Sequence, residues 1–184
     1  VITHKYHGPK GVGYALVRKN TGLQLLIFGG EQERGHRAVT ESVHNIGGME
    51  EALKLSLENL EEEKAYVSEL KDYFIEKIKK EIPEAKFNGN CEDSEGSTYT
   101  LVNVCLPVPP QKALMLLFQL DLKGIACSKG SACQSGSDKG SHVLNEFLSE
   151  EDLAKPSLRF SFSHYNTKEE LDYVVNTLKE FIES

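Results

Sequence analysis

Ser157-Leu158-Arg159-Phe160-Ser161-Phe162-Ser163 is followed, beyond His164-Tyr165-Asn166, by Thr167-Lys168-Glu169-Glu170-Leu171. In the first run apolar and polar side chains alternate, which is the period of a half-buried strand. In the second, a threonine with a glutamate three positions on is a capping box. Leu171, Val174, Val175, Leu178 and Phe181 continue it as the buried stripe of a helix. A strand pattern giving way to a helix pattern across a short connection belongs to an α/β layer structure, with a sheet packed against helices.

Upstream the same alternation of patterns recurs. Tyr99 to Leu106 reads as a strand rich in Thr, Leu and Val. Pro107, Pro109 and Pro110 then open a helix reaching about Leu122, and Ile125 to Cys127 is a short strand. Ser128 to Ser141 holds no apolar side chain larger than Ala or Cys, which predicts an exposed, mobile loop with Cys133 at its centre. His142 to Phe147 reads as a helical turn.

From Ser42 to Lys80, Met49, Leu53, Leu57, Leu60, Val67, Leu70, Phe74 and Ile78 recur at helical spacing, predicting one long helix or two in near continuity, with Gly47-Gly48 bending its start. Ile82-Pro83 ends it, and Asn88 to Ser97 is a loop. Nearer the N-terminus, His4 to Gly13 is a glycine-rich loop. Val12 to Arg18 and Leu23 to Phe28 read as strands joined by Asn20-Thr21-Gly22, and Glu31 to Thr40 is a charged loop without periodicity.

The 184 residues suffice for one sizeable core, and 39% hydrophobic with 27% charged residues is ordinary for a globular protein. A net charge of -7 and a pI near 5.4 argue against nucleic acid as a partner. No run approaches the roughly 18 apolar residues that a membrane helix needs. Cys91, Cys105, Cys127 and Cys133 form no C-x-x-C pair and have no histidine at zinc-ligand spacing, so neither a metal knuckle nor a disulfide framework is expected, and a reducing cytoplasm fits.

Three positions hold functional groups that packing does not require: His4-Lys5, Cys133 and Arg159. Taken singly, Lys5 is a solvated lysine, Cys133 an incidental loop thiol, and Arg159 an ion-pair partner on a sheet. Their order changes that reading. His4-Lys5 with Gly8-Pro9-Lys10-Gly11, Gly30 to Arg37 ending at Thr40, Gly130-Ser131-Ala132-Cys133, and Ser157-Leu158-Arg159-Phe160-Ser161 together resemble the C-terminal half of the cysteine desulfurases. These are pyridoxal 5'-phosphate enzymes of the class V aminotransferase group, and the Ser-Ala-Cys loop is similar to that of the iron–sulfur assembly branch. Ile2 and Thr3 stand where that family has a serine two residues before the histidine, Glu31 stands where it has a glycine, and Ala38-Val39 where it has Ser-Gly.

The resemblance implies that Lys5 bonds covalently to the aldehyde of pyridoxal 5'-phosphate. It also implies that His4 contacts the phosphate, that Thr40 reaches the phosphate held by a second subunit of a homodimer, and that Arg159 clamps the carboxylate of L-cysteine. Cys133 would take the substrate sulfur as a persulfide, with alanine released. Cys133 would hand that sulfur to an iron–sulfur scaffold or another acceptor protein; no resident metal is implied, though Cys133 is a position for a transient iron–sulfur ligand. Residues 1–45 would be the end of the large cofactor-binding domain, and 46–184 a long connecting helix and a small domain bearing the cysteine loop. The rest of the cofactor cradle would lie upstream of the lysine, so the 184 residues alone are expected to bind cofactor poorly. Two competing readings remain: a selenocysteine lyase or other carbon–sulfur lyase of the same cofactor class, and an inactive module for dimerisation or scaffold binding. Cys127 is read as a buried strand cysteine rather than a resolving thiol.

Overall fold

Helices form where apolar residues recur every three or four positions, and strands where β-branched residues alternate. The computed structural model describes residues 1–129 and 141–184. The chain forms two compact units, Val1–Leu60 and Glu61–Ser184.

In the first unit, helix α1 (Val43–Glu58) is preceded by two single 3-10 turns, Thr3–Tyr6 and Gln32–Gly35. Helix α1 runs through Gly47 and Gly48 as one continuous helix. Gly48 and Gly8 allow close approach: a Cβ on Gly48 would lie 2.7 Å from Pro9 Cγ, and one on Gly8 would meet the Thr3 side chain and lie 3.0 Å from Ala52. Glycine lets the loop rest directly on the helix. The strands expected over 12–18 and 23–28 do not form. Ile2 and Gly13 make a single antiparallel bridge, and Leu16 and Leu26 are 92% and 93% exposed. A strand is held by a neighbour's hydrogen-bond ladder, and among the described residues nothing presents one to this segment.

Helix α2 (Leu60–Glu81) opens the second unit, with Glu61, Glu62 and Glu63 in its first turn and Lys79 and Lys80 in its last, charges that suit the helix dipole. After it come β1 (Lys86–Phe87), β2 (Leu101–Cys105), α3 (Pro110–Leu122), β3 (Ser128–Lys129), α4 (Glu150–Leu153), β4 (Ser157–Ser161) and α5 (Lys168–Glu183). The four strands form an antiparallel sheet in the order β1-β2-β4-β3. The expected mixed α/β layering is thus present.

One sheet face carries Val102, Val104, Leu158 and Phe160, and these pack with Leu70, Phe74 and Ile78 of α2, Leu116 and Leu120 of α3, and Leu171, Val175 and Leu178 of α5. Phe74 centres this core, its ring 5.0 Å from Phe160 and 5.5 Å from Phe162. Lys71, on the same helix, is buried and donates to Ser97 Oγ at 2.7 Å and the Thr98 carbonyl at 2.9 Å, pinning the loop that precedes β2. The strand expected at Ile125–Cys127 forms at Ser128–Lys129 instead, because Gly124 at φ 76 and the Ile125 N–H, bonded to the Leu120 carbonyl, still complete the end of α3. The loop read from Ser128 therefore begins with two paired residues.

Candidate active site

In the first unit the turn Thr3–Tyr6 carries His4 and Lys5, both exposed. It is fastened from beneath. The Thr3 N–H donates to the Val12 carbonyl at 3.2 Å, the Gly8 N–H to the Thr3 carbonyl at 3.1 Å, and the Tyr6 hydroxyl to Thr3 Oγ1 at 3.4 Å. Thr3 is fully buried, so its hydroxyl serves the turn. His7, at φ 65, closes the turn in the left-handed region, which glycine favours and histidine enters more readily than most residues. Lys5, Lys10, Arg18 and Lys19 carry the charge of residues 1–30, with no acidic side chain before Glu31.

Thr40 belongs to the same unit and is exposed. The loop leading to it is conformationally costly: Glu33, Arg34 and Val39 have φ of 49, 57 and 81. For a β-branched residue such as Val39 this is a genuine outlier. The loop is held by the buried Ala38, whose N–H meets the Ile27 carbonyl at 3.3 Å, and by Arg37, whose guanidinium donates to the Val39 carbonyl at 3.1 Å.

Arg159 lies in the second unit, on β4, directly opposite Asn103 of β2 and Ser128 of β3. It faces away from the core, on the side that also presents Asn88, Asn103 and Ser157. Its Nε is buried and has no hydrogen-bond partner among the described residues. A buried guanidinium nitrogen without an acceptor favours an anionic ligand. Behind it, Asn88, 5% exposed, donates one amide hydrogen to Asn103 Oδ1 at 2.8 Å and another to Ser157 Oγ at 2.9 Å. The structure thus brings His4, Lys5 and Thr40 into one unit and sets Arg159 in the other, while Cys133 lies outside the described residues. The sequence reading passed over Asn88, Asn103 and Ser157; the available signal was Asn103 itself, an amide between Val102 and Val104 in a strand. Among the described residues no group of three His, Cys, Asp or Glu side chains could hold a metal, and no helix is long and apolar enough to cross a membrane.

Residues 2–174 match the family described as aminotransferase class-V. The chain belongs to this family. As a class-V aminotransferase chain it is 38% identical, over 183 residues, to cysteine desulfurase IscS of Dictyoglomus turgidum, the match covering 100% of this chain and 45% of that protein. It is 40% identical over 179 residues to cysteine desulfurase IscS of Clostridium botulinum strain Hall, covering 97% and 44% respectively. Among solved structures, a NifS-like protein matches with a TM-score of 0.80 at 29% identity, covering 98% of this chain and 45% of that one. A NifS-like protein from Rickettsia africae matches with a TM-score of 0.69 at 27% identity, covering 88% and 40%. The chain spans about half the length of the curated relatives it matches.

Within this class-V aminotransferase chain the described thiols are poor nucleophiles. Cys91 and Cys105 are buried. Burial raises the Cys105 thiol above its ordinary value and pushes Cys127 up to about 11, so both are protonated at neutral pH. Cys127 is half-buried and precedes β3, so the expectation of a buried strand cysteine is corrected on both counts.

Proposed function

We propose that the protein is a cytoplasmic cysteine desulfurase that takes sulfur from L-cysteine, releases L-alanine and carries the sulfur as a persulfide on Cys133. The observation that carries this reading is similarity at 38% identity to a cysteine desulfurase over the whole of this chain. The donors present suit pyridoxal 5'-phosphate as cofactor. Lys5 offers an exposed amine for an aldehyde, and the cationic run around it, with His4 adjacent, suits a phosphate. When bound, the cofactor supplies an aldehyde that captures amines and a ring that takes up the electron pair freed at the substrate Cα.

The chain's own residues would act around that group as follows. Lys5 would hold the cofactor through its amine, and its Nζ, when not so engaged, would accept the proton from the substrate Cα. The Arg159 guanidinium, whose buried Nε lacks an acceptor among the described residues, would hold the substrate carboxylate. The Cys133 thiolate attacks the substrate sulfur: the S–S bond forms, the Cβ–S bond breaks, and its electron pair stays with the carbon skeleton, which is protonated and leaves as L-alanine. Thr40 reaches the phosphate of a second subunit's cofactor, which makes the enzyme a homodimer. The persulfide passes to an iron–sulfur scaffold or another acceptor thiol. Residues 1–45 then act as the end of the cofactor-binding domain and 46–184 as the connecting helix and small domain. The acidic net charge of -7 supports a protein acceptor over nucleic acid.

The test is turnover of L-cysteine by the full-length protein, reading alanine and sulfide together. Lys5→Ala should abolish both. Cys133→Ser should abolish sulfide release, whereas a carbon–sulfur lyase that needs no protein thiol would retain it. Undiminished alanine formation by Lys5→Ala would overturn the proposal.

A further inference from the structure

Asn88, the residue after β1, forms one row with Asn103, Arg159 and Ser128 across the sheet: the Asn88 N–H bonds the Asn103 carbonyl at 2.9 Å, and Asn103 and Ser128 pair with Arg159 from either side. Side chains directly opposite in such a ladder have Cβ atoms about 4.5–5.5 Å apart. Asn103 and Arg159 therefore share one face at contact spacing. The amide of Asn103 is not free to turn. Its Oδ1 accepts from Asn88 Nδ2 at 2.8 Å, and Asn88 is buried and fixed by its second bond to Ser157 Oγ at 2.9 Å. With its oxygen engaged on the β1 side, Asn103 keeps an NH2 group for which no bond is made among the described residues, next to a guanidinium whose buried Nε has no acceptor. Two neighbouring donors without acceptors, one of them cationic, suit the two oxygens of a carboxylate.

We propose that Asn103 donates a second hydrogen bond to the substrate carboxylate beside Arg159, and that Asn88 is the positioning residue that fixes the Asn103 amide for it. This rests on the reading of Arg159 as the carboxylate clamp. A buried amide joining the end of β1 to β2 and β4 gives the clamp a set orientation, so that the carboxylate fixes the direction in which an amino acid enters. It also makes the site discriminate against substrates lacking the carboxylate, since the paired donors would then stay unsatisfied.

The experiment titrates L-alanine and L-alaninamide into the full-length protein carrying its cofactor, by calorimetry, for the wild type and for Arg159→Ala, Asn103→Ala, Asn103→Asp and Asn88→Ala. Asn103→Ala is expected to weaken L-alanine about 10- to 100-fold, the worth of one hydrogen bond to a charged group, with L-alaninamide unchanged. Asn103→Asp, which keeps the shape and places a negative charge beside Arg159, should weaken L-alanine further. Asn88→Ala should act in the same direction, and Asn88→Ala with Asn103→Ala should be no weaker than Asn103→Ala alone. In turnover, Asn103→Ala should raise KM for L-cysteine with kcat retained, a split that mere loosening of the sheet would not give. If Arg159→Ala weakens L-alanine and Asn103→Ala does not, the present inference falls while the clamp stands. If Arg159→Ala leaves L-alanine binding intact, both fall. A proportional loss of L-alanine and L-alaninamide in Asn103→Ala marks a structural role and also overturns it.

Discussion

At the scale of single residues, the chain puts two side chains where their conformation or burial is expensive. Val39 adopts φ 81, on the loop that ends at Thr40, where the Arg37 bond to its carbonyl and the buried Ala38 before it hold the backbone. A β-branched residue there costs about 1–3 kcal/mol, while glycine adds about 0.4–1 kcal/mol of unfolded-chain entropy. Val39→Gly should therefore raise stability by about 1 kcal/mol, read as a higher urea midpoint at unchanged slope. A lower midpoint would show that the valine side chain makes contacts that outweigh the strain. The sequence allowed this position to be noticed, since Val39 stands where the resembling family has glycine. It gave no sign that the backbone keeps the glycine conformation regardless. Likewise Lys71 falls on the apolar stripe of its helix, and only the fold shows Ser97 and Thr98 waiting for its ammonium group.

Elements were most legible where a pattern stays local. The capping box of α5 is present, with Thr167 accepting from the Glu170 N–H and the Glu170 carboxylate accepting from the Thr167 N–H at 3.1 Å. Thr167→Ala should cost about 1 kcal/mol in chemical unfolding. Strands were less legible, because pairing is decided by the neighbour: β1, a two-residue strand, left no signature, and the alternating stretches at 12–18 and 23–28 found no ladder. Helix α4 is short and charged, yet it ties the sheet's outer face through Asp152. The Lys86 ammonium at 2.7 Å, followed by the Ser149 hydroxyl, holds the Asp152 carboxyl below its ordinary range. A lowered folded-state value means that this contribution is present above the unfolded value of roughly 3.9 and is lost as pH falls through the folded one. Stability measured from pH 6 downward should therefore drop at the acid end, and Asp152→Asn should make that slope shallower. An identical slope in the variant would remove Asp152 from the acid response. On the alkaline side, Lys155 is raised first by its bond to Glu151, so its contribution is lost only as pH climbs through that raised value.

For the whole molecule, the two units differ in how much they bury. In residues 1–60 only Thr3 and Ala38 are buried, whereas the second unit holds the core around Phe74. Amide exchange of the 184-residue chain should accordingly be slowest in α2, β2, β4 and α5 and fast from residue 14 to 42; equal protection throughout would contradict this distribution of packing. The α/β layering was readable because helix and strand periods alternate along the second unit. The polar row behind Arg159 was not, because it is assembled from segments far apart in sequence and depends on their register. The three described cysteines carry a practical consequence. Cys91 and Cys105 are sealed inside, and Cys127 stays protonated at neutral pH. An alkylating tag applied briefly to the folded 184-residue chain would leave these three silent, so any added mass would report on the Cys133 thiol. The occupancy of a persulfide there could then be counted on the intact polypeptide, without digestion or mutagenesis of its neighbours.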